Sequence, residues 1–432
     1  MEKFVIQGGA PLSGELTAAG NKNAALPILA ASLLTNEELM LHRVPRIRDT
    51  EAQIAILERL GVDVAWVGDN SLRLCAANVS EPEVDEELSS QIRASFLLAG
   101  PLLARFGEAR MPPPGGDFIG RRRLDAHLDA FVDLGASVEG DRWIELKSPG
   151  SGLRACSIFM DEPSVMGTEN ALMAAALTPG PTTISNAACE PHVQDLARLL
   201  VKMGAGVDGI GSNVMTVHGR DRLGGTEHTI SPDHIEIGSF MALAAATGGE
   251  LRICGTEPGD LIMVRRQFRR LGLDSQVDGT DIVVPPEQRL RIRADVGDAI
   301  PKIEDGPWPA FPADLTSIAL SLATQADGEI LIFEKMFENR LFFVDKLVAM
   351  GARITLCDPH RAIVSGPSRL HGERVESPDI RAGMAMLIAA LAADGVSEIG
   401  NIRQIDRGYE KIDERLRQLG ARIERVSSEV PA

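Results

Sequence analysis

The segment from Pro112 to Asp125 places one acid and three arginines in a loop rich in proline and glycine. Proline fixes φ and glycine frees it, so the segment is predicted to form a hinged flap and not a strand. Asp117 lies near the tip of this flap, and three consecutive arginines follow at positions 121–123. An acid beside three cations indicates proton transfer next to a bound anion.

The amino-acid composition of the chain limits the classes of molecule that it is expected to bind. The chain has 432 residues and a net charge of −17, so bulk attraction to nucleic acid or anionic lipid is not expected. An anionic ligand must therefore be held by a local cluster of cations. The five cysteines are scattered without metal-ligand spacing, which is typical of reduced thiols in the cytoplasm. Residues 1–20 show no signal peptide, and no apolar stretch is long enough to span a bilayer. We therefore expect a cytoplasmic protein without a membrane partner; its oligomeric state is unknown at this point.

A helix that ends in glycine and leads into a short apolar strand is predicted six times. The six glycines are Gly61, Gly135, Gly204, Gly272, Gly351 and Gly420. An apolar residue four positions earlier and another just before each glycine form an i, i+3 stripe on one helix face. Glycine suits the left-handed conformation that ends a helix.

A second, alanine-rich helix type alternates with the first. It is predicted over residues 23–34, 95–106, 168–178, 237–247, 316–326 and 382–393. Helices without a polar face must be buried on most sides. The pattern predicts an α/β architecture of six repeated units with helices inside, three units in each half, and a boundary near 220–232. Chance recurrence in an ordinary α/β sheet is the alternative, and six occurrences in phase argue against it.

Most of the notable charged residues are predicted to lie where helices begin. They are Lys22, Arg93, Arg122, Arg340, Arg381, Arg407 and the acid Asp314. Helix N-termini attract anions, so the dipole does not favour cations there. A polyanionic ligand would explain their repeated placement, and arginine adds bidentate recognition of phosphate or carboxylate. Each one taken singly has the alternative of a solvated surface charge.

Eight motifs together resemble the UDP-N-acetylglucosamine 1-carboxyvinyltransferase family of enolpyruvyl transferases. The motifs are Gly20–Ala25, Arg93–Ser95, Gly115–Arg122, Pro163–Val165, Pro232–Glu236, Phe311–Asp314, Phe337–Arg340 and Ile405–Tyr409. The resemblance runs from Met1 to about Val426. In the sister family that acts on shikimate 3-phosphate, a lysine-serine segment usually stands where this chain has Asn21–Asn23, which favours the nucleotide-sugar branch.

The resemblance implies a two-domain inside-out α/β barrel of six units. Domain I would span 22–230, and a discontinuous domain II would comprise 1–21 and 231–432. The implied reaction moves the enolpyruvyl group of phosphoenolpyruvate to the 3′-hydroxyl of UDP-N-acetylglucosamine and releases phosphate. This is the first committed step of peptidoglycan precursor synthesis. The family uses no metal and no organic cofactor.

The resemblance also implies roles for individual residues. Phosphoenolpyruvate would be bound by Lys22, Asn23, Arg122, Arg340, Arg381 and Arg407, of which Lys22 and Arg407 are also catalytic candidates. The nucleotide sugar would be bound by Arg93, Arg122, Asp125, His127, Ser164, Val165, Asp314 and Met336, with Glu236 in the same cleft. Asp314 would act as the base near the 3′-hydroxyl, and its alternative role is a helix N-cap.

Three positions depart from the family pattern. Glu162 stands where some members carry lysine, and Met166 where many carry glycine, so Arg121 or Arg123 are candidates to compensate at the uridine end. Asp117 stands where many members carry a cysteine that is the general acid and is alkylated by fosfomycin. A carboxylate is a far poorer nucleophile than a thiolate, so an active and fosfomycin-insensitive enzyme is predicted.

Two other functions remain open from the sequence. The Glu162 and Met166 departures would fit a paralogue that acts on another sugar nucleotide. A catalytically inactive sensor of a UDP-sugar is the second alternative. The presence of Lys22, Asp314, Arg381 and Arg407 argues against a sensor.

Overall fold

The structure is a computed structural model that describes residues 2–117 and 119–427. Helices alternate with small, mostly mixed sheets, so the predicted α/β class is confirmed. The described residues form six separate sheets and no closed barrel. Within the same residues, no helix is both long and apolar enough to cross a membrane.

Thirteen α-helices and twenty-three strands make up the described chain. The helices are α1 (Lys22–Ala31), α2 (Arg48–Leu60), α3 (Glu86–Ser89), α4 (Ala99–Phe106), α5 (Asp125–Asp133), α6 (Val165–Ala176), α7 (Pro191–Lys202), α8 (His234–Thr247), α9 (Ile262–Arg270), α10 (Thr316–Ala323), α11 (Val344–Ala349), α12 (Ile380–Ala392) and α13 (Ile412–Gln418). Short 3-10 helices span Ser32–Leu34, Arg93–Leu98, Ala313–Leu315 and Ile402–Arg407. The strands are β1 (Glu2–Gln7), β2 (Gly14–Thr17), β3 (Glu38–His42), β4 (Asp63–Trp66), β5 (Leu72–Cys75), β6 (Glu108–Met111), β7 (Ser137–Glu139), β8 (Ile144–Lys147), β9 (Ser157–Phe159), β10 (Gly180–Ser185), β11 (Gly206–Asp208), β12 (Val214–Gly219), β13 (Thr226–Thr229), β14 (Leu251–Cys254), β15 (Gln276–Asp278), β16 (Asp281–Val284), β17 (Lys302–Glu304), β18 (Gly328–Phe333), β19 (Ile354–Asp358), β20 (Arg361–Gly366), β21 (Arg374–Glu376), β22 (Val396–Gly400) and β23 (Arg422–Ser427).

The chain divides into two compact units. The N-terminal unit comprises residues 20–117 and 122–231, and the C-terminal unit comprises the described residues of 1–19, 118–121 and 232–432. The C-terminal unit is therefore discontinuous in sequence, and it includes a short piece of the loop that contains Asp117.

The N-terminal unit has three sheets with strand orders β13-β3-β5-β4, β6-β8-β7 and β11-β12-β10-β9. Helices α1, α4 and α6 supply its core; α1 and α6 are almost entirely buried, and α4 is buried from Ala99 to Leu103. Their alanine content permits close packing, and α4 lies directly against α6. Burial on most sides explains why α1 and α6 carry no polar stripe.

The C-terminal unit has three four-stranded sheets with orders β21-β22-β1-β23, β15-β16-β14-β2 and β17-β18-β20-β19. Helices α8, α10 and α12 pack on one another inside it. Ser321 of α10 donates a hydrogen bond to the carbonyl of Ala385 in α12 at 2.8 Å, which satisfies a polar group in this apolar contact. Each sheet contains one parallel pair, and β17 with β18 is the pair that matters for the site.

All six glycines that were predicted to end helices have left-handed backbone. Their φ angles are 99° at Gly61, 97° at Gly135, 112° at Gly204, 85° at Gly272, 99° at Gly351 and 96° at Gly420. The prediction of helix-ending glycines is confirmed at all six positions. A side chain there would add strain, because L-residues rarely adopt this region.

Candidate active site

Lys22 is the first residue of α1 and is buried. The Asn21 side chain caps the helix by accepting hydrogen bonds from the backbone N–H groups of Asn23 and Ala24, at 2.9 and 3.2 Å. Lys22 Nζ lies 2.7 Å from Oδ2 of Asp49 in α2, whose side chain is also buried. The ammonium is thus fixed at a helix N-terminus, where backbone N–H groups also favour an anion. Asp49 was not predicted from the sequence, because the pair forms only through the tertiary fold.

The glycines of the Asp117 loop allow close packing. Gly115 N donates to the Ser89 carbonyl at 3.2 Å, and a Cβ at Gly115 would lie 1.7 Å from the Ser90 carbonyl oxygen. Gly116 has φ of 101°, and a Cβ there would lie 2.9 Å from Cβ of Arg93. At these two positions glycine is required by contact as well as by backbone conformation.

Asp117 is half-buried at the end of this packed stretch. Its backbone carbonyl accepts a hydrogen bond from Arg122 Nη1 at 3.5 Å. The described part of 118–121 is held within the C-terminal unit. There the Ile119 carbonyl accepts from Asn339 N at 3.0 Å, and Arg121 N donates to Glu338 Oε2 at 3.1 Å.

Arg93 opens a 3-10 helix and fixes the chain after the loop. Its Nη2 donates to the backbone carbonyls of Arg122 and Arg123. Burial, followed by the charge of Arg122, lowers the pKa of Arg93 to about 10, so it remains cationic at neutral pH. Two candidate residues, Arg93 and Arg122, are thereby brought together.

His127 is a buried, neutral ring. Its Nδ1 lies 2.8 Å from Nδ2 of Asn170, whose Oδ1 accepts from Gly100 N at 2.9 Å. The amide nitrogen is therefore the donor, and the His127 proton is assigned to Nε2. Burial and the nearby charge of Arg93 lower the pKa of His127 to about 3. The ring packs edge-to-face on Phe96 at 5.1 Å.

Three further candidates of the N-terminal unit lie at helix starts. Ser164 caps α6 and accepts a hydrogen bond from Gly167 N at 3.2 Å, and Val165 is the first residue of that helix. Asp125 is the first residue of α5 and forms an ion pair with Arg123. The Ser164 hydroxyl thus has a structural role in addition to the one that the resemblance implies.

In the C-terminal unit, the Asp314 carboxylate accepts hydrogen bonds from two arginines. Arg340 Nη2 donates to its Oδ1 at 2.9 Å, and Arg381 donates to its Oδ2 from Nε at 3.1 Å and from Nη2 at 2.9 Å. The arginines are buried, while 27% of the Asp314 side chain is exposed. Neither the 3-10 helix around Asp314 nor α10 has a side-chain cap bond, so the N-cap alternative finds no support.

The N-cap of α12 and the ring of Tyr409 hold Arg381 in position. Arg381 is the second residue of α12, whose N-cap Asp379 accepts from Arg381 N at 2.8 Å. The guanidinium lies over the ring of Tyr409, the single tyrosine of the chain, at 5.5 Å. The Tyr409 hydroxyl lies 3.0 Å from Ser239 Oγ in α8. Burial is the largest single influence and disfavours the charge of Arg381, but Asp314, Tyr409 and Asp233 together outweigh it and raise the pKa of the guanidinium.

Glu236 is a buried acid that links the Arg415 side chain to the backbone of Ala19. It is 2% exposed, and Arg415 donates to both of its oxygens, at 2.7 and 3.0 Å. Ala19 N donates to Glu236 Oε1 at 3.0 Å, and the Ala19 carbonyl accepts from Asp233 N at 2.9 Å. Glu236 therefore fixes the chain where it leaves the C-terminal unit.

The helix-start prediction is wrong for Arg407. This residue ends the 3-10 helix Ile402–Arg407, and α13 begins at Ile412 after an intervening turn. Its Nη1 donates to Gln404 Oε1 at 2.9 Å. The preceding Asp406 accepts a bidentate contact from Arg425, at 2.8 Å for each oxygen. Met336 is 36% exposed in the turn that precedes Arg340.

Arg122 and Arg340 also differ from the helix-start prediction. Arg122 lies three residues before α5, and Arg340 lies four residues before α11. Lys22, Arg93 and Arg381 do stand within the first two residues of their helices, as predicted. Among residues 2–117 and 119–427, no group of three or more His, Cys, Asp or Glu side chains is placed to hold a metal ion.

Solved enolpyruvyl transferases share this fold. The enolpyruvyl transferase NikO from Streptomyces tendae matches with a TM-score of 0.87 at 24% identity, covering 99% of both chains. EPSP synthase from Acinetobacter baumannii matches with a TM-score of 0.76 at 18% identity, covering 99% of this chain and 100% of that one. The protein therefore has the enolpyruvyl transferase fold.

Sequence comparison then defines the family. The profile of EPSP synthase (3-phosphoshikimate 1-carboxyvinyltransferase) matches residues 6–416. A relative from Bradyrhizobium diazoefficiens is 54% identical over 424 residues, and one from Treponema denticola is 52% identical over 427 residues; each comparison covers at least 98% of both chains. Both relatives are named UDP-N-acetylglucosamine 1-carboxyvinyltransferase. The chain belongs to the EPSP synthase family of enolpyruvyl transferases, and the resemblance seen in its motifs is confirmed.

Proposed function

We propose that this protein transfers the enolpyruvyl group of phosphoenolpyruvate to the 3′-hydroxyl of UDP-N-acetylglucosamine and releases phosphate. The observation that carries this proposal is 54% identity, over 98% of both chains, to a relative named for this transfer. The reaction would supply the first committed intermediate of peptidoglycan and so serve cell-wall formation. The cytoplasm is the proposed location.

The chemistry is an addition followed by an elimination. In the addition, the 3′-oxygen bonds to C2 of phosphoenolpyruvate, C3 gains a proton, and the hydroxyl proton leaves to a base. In the elimination, C3 loses a proton and the bond from C2 to the phosphate oxygen breaks, which restores the double bond. No electrons are exchanged with a carrier. The protein must supply an acid, a base and cations around the phosphate and carboxylate groups.

Asp314 is proposed as the base at the 3′-hydroxyl. Arg340 and Arg381 fix its orientation, and its partial exposure leaves it accessible. The geometry supports this role more directly than any other in the C-terminal unit.

Cations are proposed to hold phosphoenolpyruvate. Lys22, Arg122 and Arg407 would bind its phosphate, with Asn23 beside them. Arg340 and Arg381 would bind its carboxylate. Nη1 of Arg381 has no hydrogen-bond partner within the described chain, so the guanidinium retains donor capacity for a second carboxylate.

The nucleotide sugar is proposed to contact Arg93, Arg122, Asp125, His127, Ser164, Val165, Asp314 and Met336. The bonds from Arg93 to the carbonyls of Arg122 and Arg123 support a preformed wall on this side. His127 would act there as a neutral, fixed ring, because its pKa lies far below neutral pH.

Asp117 is proposed as the general acid that protonates C3. It takes the place of the reactive cysteine of many family members, and the Gly115 and Gly116 contacts hold the loop that carries it. A carboxylate opens an epoxide far more slowly than a thiolate does, so fosfomycin is not expected to inactivate the enzyme.

The finer architecture is also a proposal. The six glycine-ended helices and the six sheets support two domains of three units each, arranged as an inside-out α/β barrel. We place domain I at 22–230 and domain II at 1–21 together with 231–432. No metal or organic cofactor is assigned to the reaction.

One assay separates the candidate functions. Phosphate release from phosphoenolpyruvate is measured with a panel of UDP-sugars as acceptors. Turnover with UDP-N-acetylglucosamine is expected. Turnover only with another sugar nucleotide would indicate the paralogue that the Glu162 and Met166 departures suggest. Binding of a UDP-sugar without turnover by any acceptor would indicate a sensor.

A further inference from the structure

Two buried acids lie directly behind Arg340. Asp305 follows β17 and Glu334 follows β18, and these parallel neighbours pair Glu304 with Phe333 at their last residues. The carboxyl ends of the two strands therefore bring both side chains to one sheet edge. Asp305 is 1% exposed and Glu334 is 0% exposed.

Both acids hold the turn that leads to Arg340. Asp305 accepts from the backbone N–H of Lys335 and, at 3.3 Å, from that of Met336. Glu334 Oε1 accepts from Phe337 N at 3.1 Å. The turn is thus fixed by three backbone donors on two carboxyl groups.

Glu334 holds a proton at neutral pH. Burial is the largest cause that raises its pKa, to about 8; Arg340 opposes the shift and Asp305 adds to it. Because Asp305 is occupied by two backbone donors, we assign the proton to Glu334. In the unfolded chain the same side chain would titrate near its ordinary value of 4.5.

Arg340 therefore faces two different carboxyl groups. Its Nη2 donates to Asp314 at 2.9 Å, while its Nε lies 3.8 Å from Glu334 Oε2. Within the described residues, neither this Nε nor this Oε2 has a hydrogen-bond partner. An ionised Glu334 would compete with Asp314 for one buried guanidinium, and a neutral one does not.

We propose that Glu334 is a positioning residue: its neutral form commits Arg340 to Asp314, and its ionisation loosens that pair. Asp305 favours the neutral form of Glu334 over the ionised form, because its negative charge lies beside the Glu334 carboxyl group. This inference rests on the proposed roles of Asp314 and Arg340 in enolpyruvyl transfer.

Other charged groups surround this cluster and belong to the same balance. At the start of α12, the charges of Asp379 and Arg381 act on Arg340. Lys335 lies in the turn, and His360 Nδ1 lies 2.7 Å from the backbone carbonyl oxygen of Glu334. Thr316 of α10 also faces the Glu334 carboxyl group. The expected alkaline change is nevertheless specific to Glu334, because Glu334→Gln removes the titrating group and leaves these neighbours in place.

The first test is the pH profile of kcat/KM for phosphoenolpyruvate. The wild type is expected to lose about tenfold per pH unit above pH 8, mainly through a rise in KM. Glu334→Gln mimics the neutral acid and should lack this loss, so the ratio of wild-type to variant kcat/KM should be constant below pH 8 and fall above it. Asp305→Asn removes the charge that helps to keep the proton, so its decline should begin at lower pH. Glu329→Gln, an exposed position on β18, is the matched control and should follow the wild type.

The second test needs no turnover. Urea unfolding of wild type and Glu334→Gln is compared from pH 5 to 9. Between the unfolded pKa near 4.5 and the folded pKa near 8, only the folded wild type keeps the proton, so its stability falls with rising pH relative to the variant. The difference between the two urea midpoints should shift steadily and level off above pH 8.

The outcomes distinguish this inference from the proposed function. A stability difference that does not change with pH would overturn the protonated Glu334. A changing difference with identical catalytic profiles would overturn its positioning role. If no acceptor gives turnover, the unfolding series still reports on Glu334, and only the proposed reaction fails.

Discussion

Arg381 donates two hydrogen bonds to one oxygen of Asp314, from Nε at 3.1 Å and from Nη2 at 2.9 Å. Arg340 takes the other oxygen at 2.9 Å. The candidate base is therefore oriented by two buried guanidinium groups of the protein itself. Such preorganisation avoids reorganisation at the moment of reaction.

Asp314→Asn is expected to lower kcat by about 10²–10⁴-fold, which is the usual contribution of general acid–base catalysis. The amide preserves the shape of the side chain but cannot take the proton of the sugar hydroxyl. Steady-state phosphate release measures the loss. Asp327→Asn, an exposed acid of the same unit, is the matched control. An Asp314→Asn enzyme with wild-type kcat would exclude the assignment of the base.

Asp117→Cys is expected to create fosfomycin sensitivity while keeping turnover. A thiolate at this loop position attacks the epoxide, whereas the native carboxylate reacts far more slowly. Intact-protein mass spectrometry after incubation with the drug detects the adduct. Asp117→Asn has neither an acid nor a thiol, so it should lose turnover and stay unmodified. A stoichiometric adduct on the wild-type loop would contradict the prediction.

Asp49→Asn is expected to lower the free energy of unfolding by roughly 3–5 kcal/mol, because it leaves the buried Lys22 ammonium without its carboxylate. Lys22→Met should cost a similar amount for the converse reason. The double variant should be less destabilised than the sum of the two, since no uncompensated charge remains. Urea unfolding of all four proteins completes the cycle. Additive losses would mean that the pair does not interact.

Glu169→Gln is expected to stabilise the protein increasingly as pH rises. Burial and the neighbouring Glu190 raise the pKa of Glu169 well above its usual 4.5. Above pH 4.5 the unfolded chain loses a proton that the folded protein keeps, so wild-type stability falls with pH, and glutamine removes that loss. Urea midpoints at pH 4.5 and pH 7 measure the change. The exposed Glu139→Gln serves as control, and an advantage equal at both pH values would refute the prediction.

Local signals in the sequence predicted local structure well. Glycine at Gly61 and its five counterparts ends a helix because few other residues adopt the left-handed backbone, and that requirement is readable from one position and its neighbours. The buried helices were likewise predicted from composition, because a helix such as α8 without a polar face has to be covered.

Pairs made by the tertiary fold were not predictable. Asp49 next to Lys22, Arg415 on Glu236, and the proton on Glu334 all depend on which helices and strands become neighbours. The motifs named Asp314, Arg340 and Arg381 as candidates, but not that the two arginines share the acid. Long-range ion pairs leave no periodic pattern in a single sequence.

The most direct test of the proposed function is to identify the product. The protein is incubated with UDP-N-acetylglucosamine and phosphoenolpyruvate labelled with ¹³C at C3, and the mixture is followed by ¹³C NMR while phosphate is assayed. We expect the labelled methylene signal of an enolpyruvyl ether on the 3′-oxygen, formed in equal amount to the released phosphate. Unchanged substrates, or pyruvate and phosphate without an ether, would contradict enolpyruvyl transfer.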